Sequence, residues 1–338
     1  MTQNLATEIH SLLAARHNQS EPGCAVGVYA QGRPLAEVCI GVLSIGGEPI
    51  TPTTNFRIAS VTKQFTAACV LRLVDRGLLR IEDPVRRWLP ELFPGADSVT
   101  VGHLIGHTSG LPDYEDLVKD ESTPPPRDSE VLAIVARQEA CYFVPGSSYR
   151  YSNTGYALLA CLIERVDGRR FADYLREEIF LPCGMENSVA FEADRSTVSE
   201  RAYGHRRDGD SWRAADQSHT SSVLGDGGIY TSIRDYSRWE AALQRGEVLS
   251  REAMEWAGTS GRLADGNPTH YGGGWRLEGK RGRLVMHHTG STTGFNTFAR
   301  RTPALGLCVV HLANRNGPEP KELAPLIEDL AISRLLGH

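Results

Sequence analysis

Ser60 and Lys63 stand three residues apart in the segment Ser60-Val61-Thr62-Lys63. On a helix that spacing puts both side chains on one side, so the Lys63 ammonium can reach the Ser60 hydroxyl. A serine attacks a carbonyl only when a neighbour takes its proton. A lysine that is partly desolvated, or close to a second cation, can be tuned to do so. Ser60 also opens the helix, where free N–H groups and the positive dipole end suit a developing oxyanion. The competing reading is a capping serine followed by a surface lysine. Ala67, Ala68, Cys69 and Val70 oppose it, because they mark a buried helix in which an unpaired lysine is costly. Lysine is also scarce: of 36 basic residues only Lys63, Lys119, Lys280 and Lys321 are lysine, so one beside a serine carries weight.

Two further segments could complete such a site. Tyr151-Ser152-Asn153 precedes a helix, where Ser or Asn is an ordinary cap. Its chemical reading has the Tyr151 phenol relaying a proton while the Asn153 amide holds a substrate carbonyl. His287-His288-Thr289-Gly290-Ser291 ends a strand, so only one of its two histidines can face a given cleft. Gly290 would let a substrate backbone come close. His103 and His107, four apart, offer a metal-site alternative. The Glu of a His-Glu-x-x-His motif and a third ligand are both missing, so local hydrogen bonds supporting the loop Thr108–Tyr114 are the preferred reading.

The elements that must position these residues follow from periodicity. Residues 4–17 form an amphipathic helix, and the runs 24–29 and 35–42 form a hairpin around Gln31-Gly32-Arg33-Pro34. A helix runs from Ser60 to Gly77. Helices are expected over 100–106, 129–139, 155–166, 171–179 and 233–243. Strands are expected over 273–277, 283–288, 295–301 and 307–312, then a last helix over 322–336. Short turns make the strands antiparallel. The expected fold is therefore α+β: one antiparallel sheet built from both chain ends, flanked by the terminal helices, with an inserted, mainly helical lobe. The domains would be 1–58 with 222–338, and 59–221, with the site in the cleft between them.

Composition narrows the function. The net charge of −5 lacks the basic footprint of a nucleic-acid binder, and no apolar run is long enough to span a membrane. The N-terminus has no signal-peptide pattern, and seven scattered cysteines fit buried free thiols. Both point to the cytoplasm. The expected partner is a small-molecule substrate, without metal or other cofactor.

In this order the three segments resemble the serine β-lactamase and penicillin-binding-protein superfamily, and more closely its class C branch. That branch includes D-alanyl-D-alanine carboxypeptidases, D-aminopeptidases and β-lactamase-fold esterases. Its pattern is Ser-x-x-Lys, Tyr-x-Asn, then Lys/His-Thr-Gly. The segments 103–111, 145–153, 182–185 and 227–230 also match, so the likeness covers roughly residues 20–315. The resemblance implies an acylated Ser60, Lys63 as its activating partner, and Tyr151 as base and then acid for the leaving group. It implies that Asn153 orients the substrate amide, that the Ser60 and Ser291 N–H groups form an oxyanion hole, and that His288 and Thr289 contact the acyl side or a carboxylate. His288 stands where class C β-lactamases carry lysine. A histidine titrating near pH 6.5 would be a pH-dependent anchor for a carboxylate. Together these features imply an esterase, amidase or D-amino-acid peptidase acting through an acyl-enzyme. A weak β-lactamase and a non-catalytic penicillin sensor are the alternatives. The loops Asp113–Pro126 and Tyr203–Ser222 are expected to line the pocket and set the substrate.

Overall fold

The computed structural model describes residues 2–118, 124–317 and 319–336. Helix α1 (Thr2–Ala14) leads into the hairpin β1 (Cys24–Ala30) and β2 (Arg33–Ile40). Its turn is only Gln31-Gly32, both at positive φ (53° and 71°), as a two-residue hairpin turn requires. Pro34 thus lies inside β2, which tolerates it as the sheet edge. After β3 (Phe56–Arg57), a 3-10 turn at Ala59–Thr62 runs into α2 (Lys63–Asp75). Then come α3 (Val101–Ile105), α4 (Tyr114–Leu117), α5 (Asp128–Ala136), α6 (Asn153–Asp167) and α7 (Phe171–Leu175). The helix expected to run on to residue 179 instead changes to a π turn at Arg176–Phe180.

The return path carries elements that periodicity did not indicate. They are β4 (Val189–Ala190), the hairpin β5 (His205–Asp208) and β6 (Ser211–Ala214), the turn α8 (Leu224–Gly227) and β7 (Ile229–Thr231). The expected helix α9 (Ile233–Arg245) follows, then α10 (Arg251–Ala257), which was not expected. Next are β8 (Tyr271–Gly272), β9 (Trp275–Lys280), β10 (Arg283–Thr292), β11 (Phe295–Thr302), β12 (Leu307–Ala313) and α11 (Glu319–Leu336).

Seven strands form one antiparallel sheet in the order β2-β1-β12-β11-β10-β9-β8, so both chain ends build it. Every residue of β1 and β12 is buried, because the sheet is covered on both faces. Val26 and Val28 point to the terminal helices, meeting Leu5, Ile9, Leu323 and Ile327. Ala25 and Tyr29 point the other way, into the core shared with Phe65, Tyr236 and Trp239. Helix α6 is the centre of the helical lobe, with Thr154–Ile163 buried and α2, α3, α5 and α8 packed around it. No helix among the described residues is long and apolar enough to cross a membrane.

Candidate active site

Ser60 sits on a sharp turn between β3 and α2. Ile58 ends the strand: its N–H donates to the Ile229 carbonyl (2.9 Å) and its carbonyl accepts from Thr297 Oγ1 (2.8 Å). Ala59 then adopts φ 47°, a left-handed conformation that costs a non-glycine residue about 1–2 kcal/mol. These bonds anchor Ile58, the residue before the strained one, and the turn presents Ser60 to a cleft that Asn153 and Ser291 also line. Gly290 of β10 lies directly behind. A Cβ there would come within 2.3 Å of the Ile58 carbonyl and 2.2 Å of Thr297 Oγ1. The absence of a side chain at Gly290 thus admits the protein's own Ser60 turn.

Lys63, one turn on, is fully buried. Its Nζ donates to Ser60 Oγ (3.1 Å), Asn153 Oδ1 (2.6 Å) and the Asp226 carbonyl (2.9 Å). The three donors of an ammonium thus meet three uncharged acceptors. Gly274 backs this helix, with only 2.6 Å from its would-be Cβ to the Gln64 backbone. Gly273 and Gly274, at φ 52° and 83°, form the two-residue turn between β8 and β9, which is why β9 begins at Trp275 and not at 273 as expected.

Asn153 is the first residue of α6 and is held at both ends. Its N–H donates to Asp113 Oδ2 (2.9 Å) and its Nδ2 to Glu115 Oε1 (2.9 Å). Partial burial raises the Glu115 carboxyl above its usual range, and Asp113 adds to this. The Asp226 carboxyl accepts from Tyr114 Oη (2.9 Å), and burial pushes it up to about 7 against the pull of Lys63. Asp128 holds the α8 turn that carries Asp226, accepting from the Leu224 and Gly225 N–H groups (both 2.9 Å). Burial raises it to about 7 as well.

The Tyr151 ring lies 5.1 Å from Lys63 Nζ, within cation–π range. It belongs to an aromatic box with His107 (4.3 Å between ring centres), His288 (5.9 Å) and Tyr271 (6.4 Å). Ser291 lines the same cleft as Ser60 and Asn153. Thr289, next along β10, is half-buried and pairs with Phe298.

His288 requires a correction. It was expected to titrate near pH 6.5 and to hold a carboxylate as imidazolium. It is buried beneath the cleft, its Nδ1 donating to the Thr289 carbonyl (2.6 Å) and its Nε2 accepting from Tyr271 Oη (3.1 Å). Burial, then the nearby Lys63 cation, lowers it to about 3. A neutral ring cannot anchor an anion by charge. Its ¹⁵N signals are accordingly expected to stay those of one neutral tautomer from about pH 8 down to pH 6, through the midpoint at which free histidine titrates. A titration step near pH 6.5 contradicts this assignment.

His103 and His107 do not share a helix face, because α3 ends at Ile105 and His107 turns to φ 58°. Each bonds locally: His103 Nδ1 accepts from the Thr100 N–H (3.2 Å), and His107 Nδ1 from the Ser152 N–H (3.2 Å). Among the described residues, no three His, Cys, Asp or Glu side chains converge as metal ligands.

Arg57, Glu115, Thr220 and Asp226 also line the cleft and were not singled out by sequence. Glu115 and Thr220 come from the two loops expected to line the pocket; residues 119–123 of the first lie outside the described residues. Arg57 was readable as a cation three residues before the serine. Its guanidinium donates to the Gly227 and Ser221 carbonyls (3.2 and 2.9 Å) and to Gln217 Oε1 (3.2 Å).

The antiparallel sheet, the inserted helical lobe and a buried Lys63 bonded to the cleft residues Ser60 and Asn153 together define the β-lactamase/transpeptidase architecture. The chain belongs to the β-lactamase family, whose family model matches residues 9–332. It is 32% identical to penicillin-binding protein 4* of Bacillus subtilis over 294 residues, 82% of this chain and 64% of that one. It is 28% identical to a D-aminopeptidase of Gluconobacter oxydans, over 87% of this chain and 56% of that one. It thus spans less than two-thirds of the length of these curated relatives. Among solved structures, the octameric penicillin-binding protein homologue from Pyrococcus abyssi superposes with a TM-score of 0.83 at 27% identity, covering 99% of this chain and 77% of that one. The penicillin-binding protein from Bacillus halodurans gives 0.78 at 29%, covering 90% and 95%.

Proposed function

We propose that the protein is a serine hydrolase that forms an acyl-enzyme on Ser60 and cleaves ester, amide or D-amino-acid peptide bonds. The observation that carries this reading is the placement of Lys63 Nζ, 3.1 Å from Ser60 Oγ and fixed by Asn153 and the Asp226 carbonyl. As a neutral amine, Lys63 would keep two N–H groups on those acceptors and aim its lone pair at the Ser60 hydroxyl. The proton passes to Nζ as Oγ bonds the substrate carbonyl carbon. The Ser60 and Ser291 N–H groups receive the oxyanion. Collapse expels the amine or alcohol, which takes its proton through Tyr151. Water then attacks the Ser60 ester, releasing the acid and restoring the hydroxyl.

Within this class we favour D-amino-acid amides and peptides with a free amino group. Glu115 supports this, because it places a carboxylate on the cleft wall beside Asn153. The D-aminopeptidase relatives agree with it. Cys69, Cys161, Cys183 and Cys308 are buried thiols, which supports a reducing compartment such as the cytoplasm.

The test is intact-mass spectrometry during turnover of a p-nitrophenyl ester, followed by a panel of D-aminoacyl anilides, a D-Ala-D-Ala peptide and nitrocefin. One acyl group on the wild type and none on Ser60→Ala is expected, with the D-aminoacyl anilides turned over fastest. Acylation that survives Ser60→Ala overturns the mechanism. Preference for nitrocefin overturns the substrate class alone.

A further inference from the structure

His107 is bonded to the chain on both sides of Tyr151. Its carbonyl accepts the Arg150 N–H (2.9 Å) and its Nδ1 accepts the Ser152 N–H (3.2 Å). Its ring lies against the Tyr151 ring, with centres 4.3 Å apart and planes at 36°. His107 makes all three contacts from a left-handed backbone (φ 58°). Because Nδ1 accepts, the neutral ring carries its proton on Nε2. That atom is buried and has no hydrogen-bond partner among the described residues. An unmet buried donor costs about 1–3 kcal/mol, so local stability alone does not explain this histidine.

The groups facing the ring fix its charge state. Lys63, His288 and Arg276 are its charged or titratable neighbours, and Tyr149, Tyr156 and Tyr271 enclose it. Burial, then the Lys63 cation, holds it well below the ordinary histidine range. A protonated ring would lose the Ser152 bond, since Nδ1 could no longer accept.

We propose that His107 is a positioning residue for Tyr151, a clamp that fixes the phenol relative to Lys63 and Ser60. It rests on the proton-relay role proposed for Tyr151. Displacing a reacting group by about 1 Å can lower turnover on the order of 100-fold.

The experiment measures kcat and KM for a p-nitrophenyl ester with Tyr151→Phe, His107→Ala, His107→Asn and the double variant His107→Ala/Tyr151→Phe. Rates are compared per folded molecule by near-UV circular dichroism. Asparagine tolerates the left-handed backbone, and its Oδ1 can accept the Ser152 N–H. His107→Ala is expected to lower kcat about 10- to 100-fold with KM changed less than about threefold. His107→Asn should recover most of the loss, and His107→Ala should cost nothing further once Tyr151 is phenylalanine. Full activity in His107→Ala beside an impaired Tyr151→Phe overturns the clamp. So do multiplying effects in the double variant, or no rescue by asparagine. Full activity in Tyr151→Phe overturns the relay role itself, and the clamp with it.

Discussion

Replacing Lys63 is expected to cost nearly as much activity as replacing Ser60. A positioned base typically contributes about 10²- to 10⁴-fold. Here the lysine has a second task, since the same Nζ ties Asn153 Oδ1 and the Asp226 carbonyl to the Ser60 turn. Lys63→Met keeps most of the volume but removes both roles, so kcat should fall by roughly 10³- to 10⁴-fold and the acylation burst should vanish. Lys63→Arg should not rescue. A guanidinium is planar and stays protonated at any working pH, so it cannot accept the Ser60 proton. Groups acting as one unit are not additive, and Ser60→Ala/Lys63→Met should be no worse than Ser60→Ala. Each acceptor left unpaired costs about 1–3 kcal/mol, so a lower Tm is expected alongside. Pre-steady-state release of p-nitrophenolate checks the rate. A Lys63→Met variant within tenfold of wild type removes lysine from the mechanism.

How far this site was legible in sequence follows from what each residue depends on. Ser60 and Lys63 were legible because their relation is local: three residues, from the 3-10 turn into the first residue of α2, fix the distance. The sheet was legible because β1 and β12 are largely apolar runs bounded by turn residues. The state of His288 was not, because its burial comes from Tyr151 and Tyr271, 137 and 17 residues away in the chain. Arg57, Glu115 and Asp226 meet at the cleft from three separated segments, and no periodicity in any of them encodes that meeting. The Gly225-Asp226-Gly227-Gly228 segment was readable as a turn, but not that its carbonyl faces a lysine 163 residues earlier. Helix α10 was missed because its seven residues are too few to show a helical period. His107 looked like half of an i, i+4 pair. The helix stops at Ile105 and turns it instead toward Tyr151.

A second large effect is expected on stability in mild acid. Burial lowers His17, His288 and His311 to about 3 and His287 to about 4, and holds His107 well below its usual value. The unfolded chain binds these protons near pH 6.5, whereas the folded chain excludes them. The stability these groups contribute is therefore present above pH 6.5 and is lost as pH falls toward 3–4. Well below pH 6.5, each histidine contributes a slope of about 1.4 kcal/mol per pH unit. Asp128 and Asp226 act in the opposite sense. Raised to about 7, they favour the folded state at low pH, and their contribution is lost as pH rises from about 4 through 7. His103 and His205 are lowered as well, and Glu115 and Glu240 are raised, so seven histidines outweigh four carboxyls and the net slope remains destabilising in acid. Against a total stability of roughly 5–15 kcal/mol, the fold should fail between about pH 6 and pH 4. His311 isolates the cause. It is fully buried in β12, and neither ring nitrogen has a hydrogen-bond partner among the described residues. His311→Leu removes the titration without breaking a bond, so it should flatten the acid limb and stabilise more at pH 5.5 than at pH 7.5. Urea midpoints from pH 8 to pH 4.5 on both proteins check this. A wild-type midpoint that is constant from pH 8 to pH 5 means these histidines do not resist protonation as their burial implies.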